Sequence, residues 1–331
     1  DQRENPRVGG RRLRGQLQDV IGQRAGGDIL PARFLCTQTG KRGTMILLFE
    51  QLLNGLQYGV TLFLLAAGLT LIFGIMGVIN LAHGALYMVG AFAASWVAIQ
   101  TGSFWAGLAA GLAASAIAGI AVELGVMRRL YDRDHLDQVL ATFALILIFN
   151  QTTVLIFGRQ PLFTSLPEVF AGSVEIVPGL PYPVYRLFVI AVGLAVALGL
   201  YLLINKTRIG MLVRAGATNR QMVRALGVNI QGLYTAVFAL GALLAGLAGV
   251  MASPIVSVQV GMGDEIILAT FVVVVIGGVG SVKGAFVAAI VLGMFDTMLR
   301  AFLPGLLQQV MPGDEAQALG VGISSMGIYL M

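Results

Sequence analysis

Nine long apolar stretches, separated by short polar segments, constrain this chain more than any other feature. A helix needs about 20 apolar residues to cross a hydrocarbon core roughly 30 Å thick. Charged residues make up only 11% of the chain, whereas a soluble domain carries about 25%. The pattern predicts an all-α, polytopic helical membrane protein with eight to nine transmembrane helices. The predicted spans are residues 47–74, 81–100, 104–124, 138–158, 186–204, 231–256, 265–282, 284–303 and one that begins near 318.

The positively charged loops predict how these spans are oriented. Loop 125–137 contains three arginines, and segment 205–230 contains five cations and no acid. Positively charged loops lie on the cytoplasmic side of a membrane, so both segments are predicted to be cytoplasmic. The proline-rich loop 159–185 then faces outside. Counting back through three spans also places Met45 outside.

The first 44 residues differ in composition from the rest of the chain. They hold nine Lys or Arg and four Asp or Glu, and they lack the apolar core of a signal peptide. We interpret residues 1–44 as a basic, disordered N-terminal extension, or as sequence upstream of a true start at Met45. Residues 45–331 are predicted to form the transmembrane domain.

Segment 205–231 also has the features of a contact surface. Three apolar residues are predicted to share one face of a short helix at i, i+1, i+4 spacing, with two arginines on another face. Small residues at 215–217 permit close backbone approach, and a glycine can end the helix. The alternative is an ordinary loop whose charges only set the topology. The residues of the candidate contact surface are Arg214, Ala215, Gly216, Arg220, Met222, Val223, Arg224, Leu226 and Gly227.

Several polar residues interrupt the apolar stretches, and such residues often mark a transport pathway. Asn80 and His83 would share one helix face, and the break around them could be a re-entrant turn. They can line a translocation path or only form structural hydrogen bonds. The others have plainer explanations: Glu123 can be interfacial near Arg128, Asn150 and Gln151 can bond neighbouring helices, and Asp296 can pair with Arg300.

Small residues spaced four apart predict where helices pack closely, because apolar burial alone drives little association in lipid. Three such pairs lie in predicted spans: Gly55/Gly59, Gly107/Gly111 and Ala245/Gly249.

The sequence offers no set of residues for catalysis or for holding a cofactor. The phosphate-binding pattern Gly-x-x-x-x-Gly-Lys-Ser/Thr does not occur, nor does His-Glu-x-x-His or Gly-x-Ser-x-Gly. A single cysteine, Cys36, and two separated histidines do not make a metal site. We therefore expect no catalytic residue, no metal and no cofactor bound by this chain.

Three segments carry a family resemblance. Residues 77–91 read GVINLAHGALYMVGA, residues 275–285 read VIGGVGSVKGA, and residues 214–227 form a basic segment in which alanines precede a glycine. Together they resemble the permease subunits of branched-chain amino-acid ABC importers, specifically the H-type subunit. The resemblance covers about 45–331.

The resemblance implies one half of a heterodimeric translocator that crosses the bacterial inner membrane several times. Its partners would be a second permease subunit, two cytoplasmic ATPase subunits and a periplasmic substrate-binding protein, with the lipid bilayer around it and no nucleic acid. ATP would be used by the ATPase subunits, and 214–227 would be the coupling helix region. Cargo would be a branched-chain or related amino acid, or a urea-like amide. Family members usually complete the last helix, so we also expect that the C-terminus is truncated.

Two other functions remain open from the residues alone. An ion-coupled secondary transporter would need a titrating acid within the bundle, for which Asp296 is the best candidate. A structural membrane subunit that does not itself transport would leave the substrate contacts to its partner.

Overall fold

The computed structural model describes residues 41–131, 133–164 and 166–330, with the backbone alone at 41–44, 220 and 221. The predicted N-terminal extension therefore lies almost entirely outside the described residues. The described chain is mainly helical, with one small hairpin. The helices are α1 (Lys41–Met76), α2 (His83–Thr101), α3 (Phe104–Leu130), α4 (His135–Phe157), α5 (Val184–Lys206), α6 (Arg208–Thr218), α7 (Arg220–Ala225), α8 (Ile230–Ala252), α9 (Met262–Gly277), α10 (Val282–Leu307) and α11 (Gly313–Leu330).

The helices coincide with the nine predicted spans. Within the described residues, seven are long and apolar enough to cross a membrane: α1 to α5, α8 and α10. The remaining two predicted spans are occupied by α9, with 16 residues, and α11, with 18. The prediction of an all-α polytopic membrane protein is confirmed. Length separates α9 from the others, because 16 residues reach only about 24 Å.

α1 is the central helix of the bundle. Its middle, residues 62–67, is fully buried on every side, as expected of a helix that is apolar all round. α2 and α8 are also largely enclosed, whereas α4 and α5 expose large apolar side chains such as Leu155 and Leu198. The outer helices thus present an apolar surface that suits lipid or another membrane protein.

The predicted small-residue pairs do lie where helices approach closely. A Cβ added to Gly55 would lie 2.7 Å from Met294 Cα, and one on Gly59 would lie 2.7 Å from the Ala289 carbonyl oxygen, both on α10. A Cβ on Gly111 would lie 2.7 Å from the Gly90 carbonyl oxygen. At these positions even an alanine would push two helices apart.

The two ends of α1 contact the two kinds of loop. Near its start, Asn54 accepts hydrogen bonds from Tyr182 (3.2 Å) and Arg186, in and after the proline-rich segment. Near its end, Ile75 packs beside Gly216 of the basic segment. The proline-rich and basic segments therefore lie at opposite ends of the bundle, which agrees with the predicted orientation.

Three boundaries differ from the predictions. α3 continues to Leu130 through a π-helical turn, Glu123–Met127, so the predicted loop 125–137 is only a few residues long. α9 ends at Gly277 rather than 282, because Gly278 and Gly280 adopt positive φ angles that end the helix. The proline-rich segment contains an unpredicted hairpin, β1 (Ser173–Val177) and β2 (Leu180–Pro183), which turns through Pro178 and Gly179.

Candidate coupling surface and buried turn

The basic segment folds into the two short helices α6 and α7, each with a side-chain cap at its start. Thr207 accepts a hydrogen bond from the Gly210 amide (3.2 Å), and Asn219 accepts one from the Met222 amide (3.0 Å). Asn229 caps α8 in the same way through the Gly232 amide (3.0 Å). Sequence analysis missed all three, although Thr and Asn before a helix are ordinary capping signals.

α6 is fixed to the end of α5. The Arg214 guanidinium donates to the Ile204 carbonyl oxygen, one of the last carbonyls of that span. Gly210 lies so close to the carbonyl oxygens of Leu203 and Ile204 that any Cβ there would overlap them. Arg214, predicted as a coupling residue, therefore also ties the segment to a membrane helix.

Within the described chain, residues 215–217 make no unusually close approach, and their approach to a partner stays a prediction. A Cβ on Gly216 would lie 3.7 Å from Leu233 Cδ2 and 3.9 Å from Ile75 Cγ2, which is ordinary contact. Ala215 and Ala217 are exposed. The glycine that is required stands at 210, because there α6 turns back against the end of α5.

α7 divides the apolar residues that were predicted to share one face. Met222 and Leu226 are 61% and 75% exposed, whereas Val223 is only 5% exposed. Residues at i and i+4 share a face, but the residue at i+1 is turned by about 100°. The prediction is therefore wrong for Val223, which points into the protein and cannot be presented to a partner.

The two arginines of α7 alternate with this exposed pair in sequence. Arg224 is exposed, whereas the side chain of Arg220 lies outside the described residues. Gly227 follows the helix with a φ angle of 82°, and its amide donates to the Arg224 carbonyl oxygen (3.1 Å). Gly227 thus ends α7 as predicted.

Asn80 and His83 lie in a buried break between α1 and α2. The sequence pattern predicted that the two share one helix face. They do not, because Asn80 precedes α2, which begins at His83. Both are fully buried. A Cβ on Gly68, two turns before the end of α1, would lie 2.8 Å from His83 Nε2. The chain therefore turns back into the bundle between the two helices.

The Asn80 carboxamide is enclosed without a hydrogen-bond partner among the described residues. Leaving a buried polar group unpaired costs about 1–3 kcal/mol. Non-helical backbone at membrane depth is tolerated only where protein buries it or where it lines a cavity. A costly amide in such a turn favours a functional explanation over a structural one.

The remaining polar residues singled out from the sequence are paired or exposed. Arg300 Nε lies 2.8 Å from Asp296 Oδ2, as predicted. Asn150 bonds a neighbouring helix, as predicted, through Asp264 Oδ2 (2.8 Å), whereas Gln151 is exposed.

Glu123 is the centre of a network that sequence analysis described only in part. It is fully buried, and it pairs with Arg128 (3.3 Å). It also accepts hydrogen bonds from Tyr131 (3.0 Å) and from Thr235 on α8 (2.9 Å). Burial, and then the nearby Glu123 carboxylate, raise the pKa of the Tyr131 hydroxyl. The phenol therefore stays protonated and acts as a donor.

With this geometry established, comparison with known proteins is informative. A family model described as "Branched-chain amino acid transport system / permease component" matches residues 51–313. That range covers most of the chain, including the 77–82 turn, α6 and α7.

The chain belongs to this permease family.

Relatives of this permease carry more than one substrate name. This permease is 30% identical to the high-affinity branched-chain amino acid transport system permease protein BraD of Pseudomonas aeruginosa. The match covers 75% of this chain and 84% of BraD. The permease is 26% identical to the Escherichia coli LivH permease, covering 77% of this chain and 86% of LivH. It is also 28% identical to the E. coli ribose import permease protein RbsC, covering 76% and 78%. No solved structure matches.

Family and architecture together define the class of the molecule. The permease is a multi-pass inner-membrane protein with an ABC importer role, and it is a translocating subunit of a larger transport system. The transport role has to be explained through two parts of the molecule. These are the helices that cross the membrane and the two short helices at their basic end.

Proposed function

We propose that this permease is the H-type half of a heterodimeric importer for branched-chain amino acids. Its partners are a second permease, two cytoplasmic ATPase subunits and a periplasmic binding protein, and ATP is bound by the ATPases alone. The observation that carries the proposal is that Met222 of α7 and Leu226, which directly follows α7, are both exposed at the basic end of the bundle. Two exposed large apolar residues at one short, capped helix are suited to fill a groove on another protein.

The route from α7 into the membrane runs through residues in contact. Gly216 of α6 packs beside Ile75 of α1, and Ile75 lies two residues before the turn that contains Asn80. α6 is also bonded to the end of α5 through Arg214. A push on α7 would therefore reach both the end of the central helix and a peripheral span. We propose that this motion alternates the bundle between outward and inward openings.

Branched-chain amino acids are the favoured cargo because the relatives named for them reach 30% identity with high coverage of both chains. The ribose import permease shows that related chains serve other solutes. Uptake of leucine and of ribose by reconstituted importer decides between these cargoes. ATP-dependent leucine uptake that persists after the ion gradients are collapsed would support the importer, whereas gradient-dependent uptake without ATP would indicate a secondary transporter.

Leu226 tests the docking step. Burying a leucine contributes roughly 1.5–3 kcal/mol, whereas an exposed ion pair contributes about 0–1 kcal/mol. Leu226→Asp should therefore reduce co-purification of the ATPase about tenfold or more, with less effect from Arg224→Ala. Val310→Asp, at an exposed apolar residue beyond the end of α10, is the matched control. Normal ATPase assembly and transport in Leu226→Asp would contradict the proposal.

A further inference from the structure

A cleft at the basic end of the bundle has no ligand assigned to it in the proposed transport mechanism. It is a cavity of about 700 Å³ between α1, α5, α6 and the start of α10. Its walls are mostly apolar and include Phe63, Ala197 and Phe286. Because α5 and α10 are both peripheral helices of the bundle, the cleft is framed on one side by the outer surface of the bundle.

The mouth of the cleft is positively charged. Arg214 and Lys283 line it, and none of its described lining residues is acidic. Lys283 Nζ lies 5.0 Å from the centroid of the Tyr201 ring, which places the ammonium group between α10 and α5. Ser281 caps the start of α10 through the Gly284 amide (3.1 Å), so the positive end of that helix dipole lies at the same place.

A buried polar group lies deeper in the cleft. Thr70 of α1 lines it and is fully buried, and its hydroxyl has no hydrogen-bond partner among the described residues. Such a hydroxyl is normally bonded to protein, water or ligand. The cleft therefore combines cations at its mouth with a buried hydroxyl in its wall that is unpaired within the described chain.

The dimensions of the cleft match one leaflet of a bilayer. Its wall on α1 extends from Phe63 to Ile75, which corresponds to about 18 Å of helix. Half of the hydrocarbon core is roughly 15 Å thick. Cations at the cytoplasmic end and apolar walls over the depth of the inner leaflet form a shape complementary to one lipid molecule.

From these features we propose that the cleft binds an anionic phospholipid of the cytoplasmic leaflet. The phosphate would contact Lys283 and Arg214, and an acyl chain would lie along the apolar walls of α1 and α5. Basic pockets between membrane helices on this side are known to hold anionic head groups. A zwitterionic amino acid fits less well, since its ammonium group would meet two cations and no acid. The lipid would link α6, which moves in the proposed mechanism, to α10.

Native mass spectrometry of the purified importer tests the charge at the mouth. Phosphatidylglycerol should be retained better than phosphatidylcholine with the same acyl chains, and Lys283→Glu should reduce its retention at least about fivefold. Lys206→Glu, an equal change at an exposed cation that does not line the cleft, should stay within twofold of the unmodified importer. Lys283→Gln, a milder change, provides a second measurement if Lys283→Glu does not assemble.

A second pair of variants tests the space rather than the charge. Ala197→Phe should fill the cleft and reduce retention of phosphatidylglycerol, whereas Ala195→Phe, on an exposed face of the same helix, should not. Free glycerol phosphate should fail to compete, because it lacks the acyl chain. Equal retention of both lipids, equal loss in the control variants, or displacement of lipid by leucine would overturn the proposal. So would lipid bound only when the second permease is absent, since the partner would then cover the cleft.

Discussion

At the scale of single residues, Asn80 separates function from stability. Its buried amide has no hydrogen-bond partner within the described part of the chain, so replacing it with an apolar residue should not lower the unfolding temperature. We expect Asn80→Ala to melt at or above the unfolding temperature of the unmodified permease, because it removes an unpaired amide that costs about 1–3 kcal/mol. Leucine uptake should fall about tenfold or more, because an amide retained at such a cost is expected to serve transport. Thermal unfolding and uptake are measured on the same preparation.

Gln151→Ala is the control for this prediction, since Gln151 is a polar but exposed residue of a neighbouring helix. His83→Ala should reduce uptake as well, because His83 begins the helix that leaves the same turn. Wild-type uptake in both Asn80→Ala and His83→Ala would show that these residues are only tolerated there.

Gly210 and Gly216 form a matched pair on α6. Gly210→Ala should destabilise the segment, because its Cβ would overlap two carbonyl oxygens of α5. Gly216→Ala should be neutral or slightly stabilising, since its Cβ would only reach van der Waals contact and alanine favours helix by about 1 kcal/mol. Limited proteolysis within 205–231 gives the measure. Faster cleavage of Gly216→Ala than of Gly210→Ala would contradict the assignment.

At the scale of elements, the π-helical turn of α3 is stabilised by Glu123. Glu123→Gln keeps the shape of the side chain but removes the charge that Arg128, Tyr131 and Thr235 share. Hydrogen bonds to a charged group contribute about 1.5–3 kcal/mol, so the free energy of unfolding should fall by about that amount. Asp314→Asn, at an exposed acid of α11, should change it little. If both variants unfold alike in denaturant titrations, the network does not stabilise the fold.

The long elements were predictable because they depend on local composition. All nine predicted spans contain a helix, since a run of apolar residues in lipid has few alternatives. The ends were less predictable. α3 passes its predicted end at 124 because Glu123 finds partners on α8, 112 residues away in sequence, and no local pattern reveals such a contact.

The candidate site could be located from sequence but not resolved into faces. Its basic charge and the glycine at 227 predicted a short helix at the basic end, and the structure has one. Which side of α7 faces the protein depends on where the helix starts, and Asn219 sets that start through its cap. Val223 was therefore placed on the wrong face, and the caps at Thr207 and Asn229 were missed although their residue types announce them.

At the scale of the whole molecule, the long helix α1 relates the two ends of the bundle. Asn54 bonds the segment around Tyr182, and Ile75 packs beside Gly216. If α1 crosses the membrane once, these contacts must lie on opposite sides of it. The basic charge of 205–231 then places α7 in the cytoplasm, where the ATPases would have to bind.

Cysteine labelling measures this orientation directly. The chain has one cysteine, Cys36, so Cys36→Ala provides a background for single reporters. Val169→Cys, 81% exposed beside the hairpin, and Leu226→Cys, 75% exposed after α7, give a matched pair of accessible sites. In intact cells an impermeant maleimide should label only Val169→Cys, and in inside-out vesicles prepared without the ATPase subunits only Leu226→Cys. Labelling of Leu226→Cys from outside intact cells would remove α7 from the reach of any cytoplasmic ATPase, and the proposed coupling would fail with it.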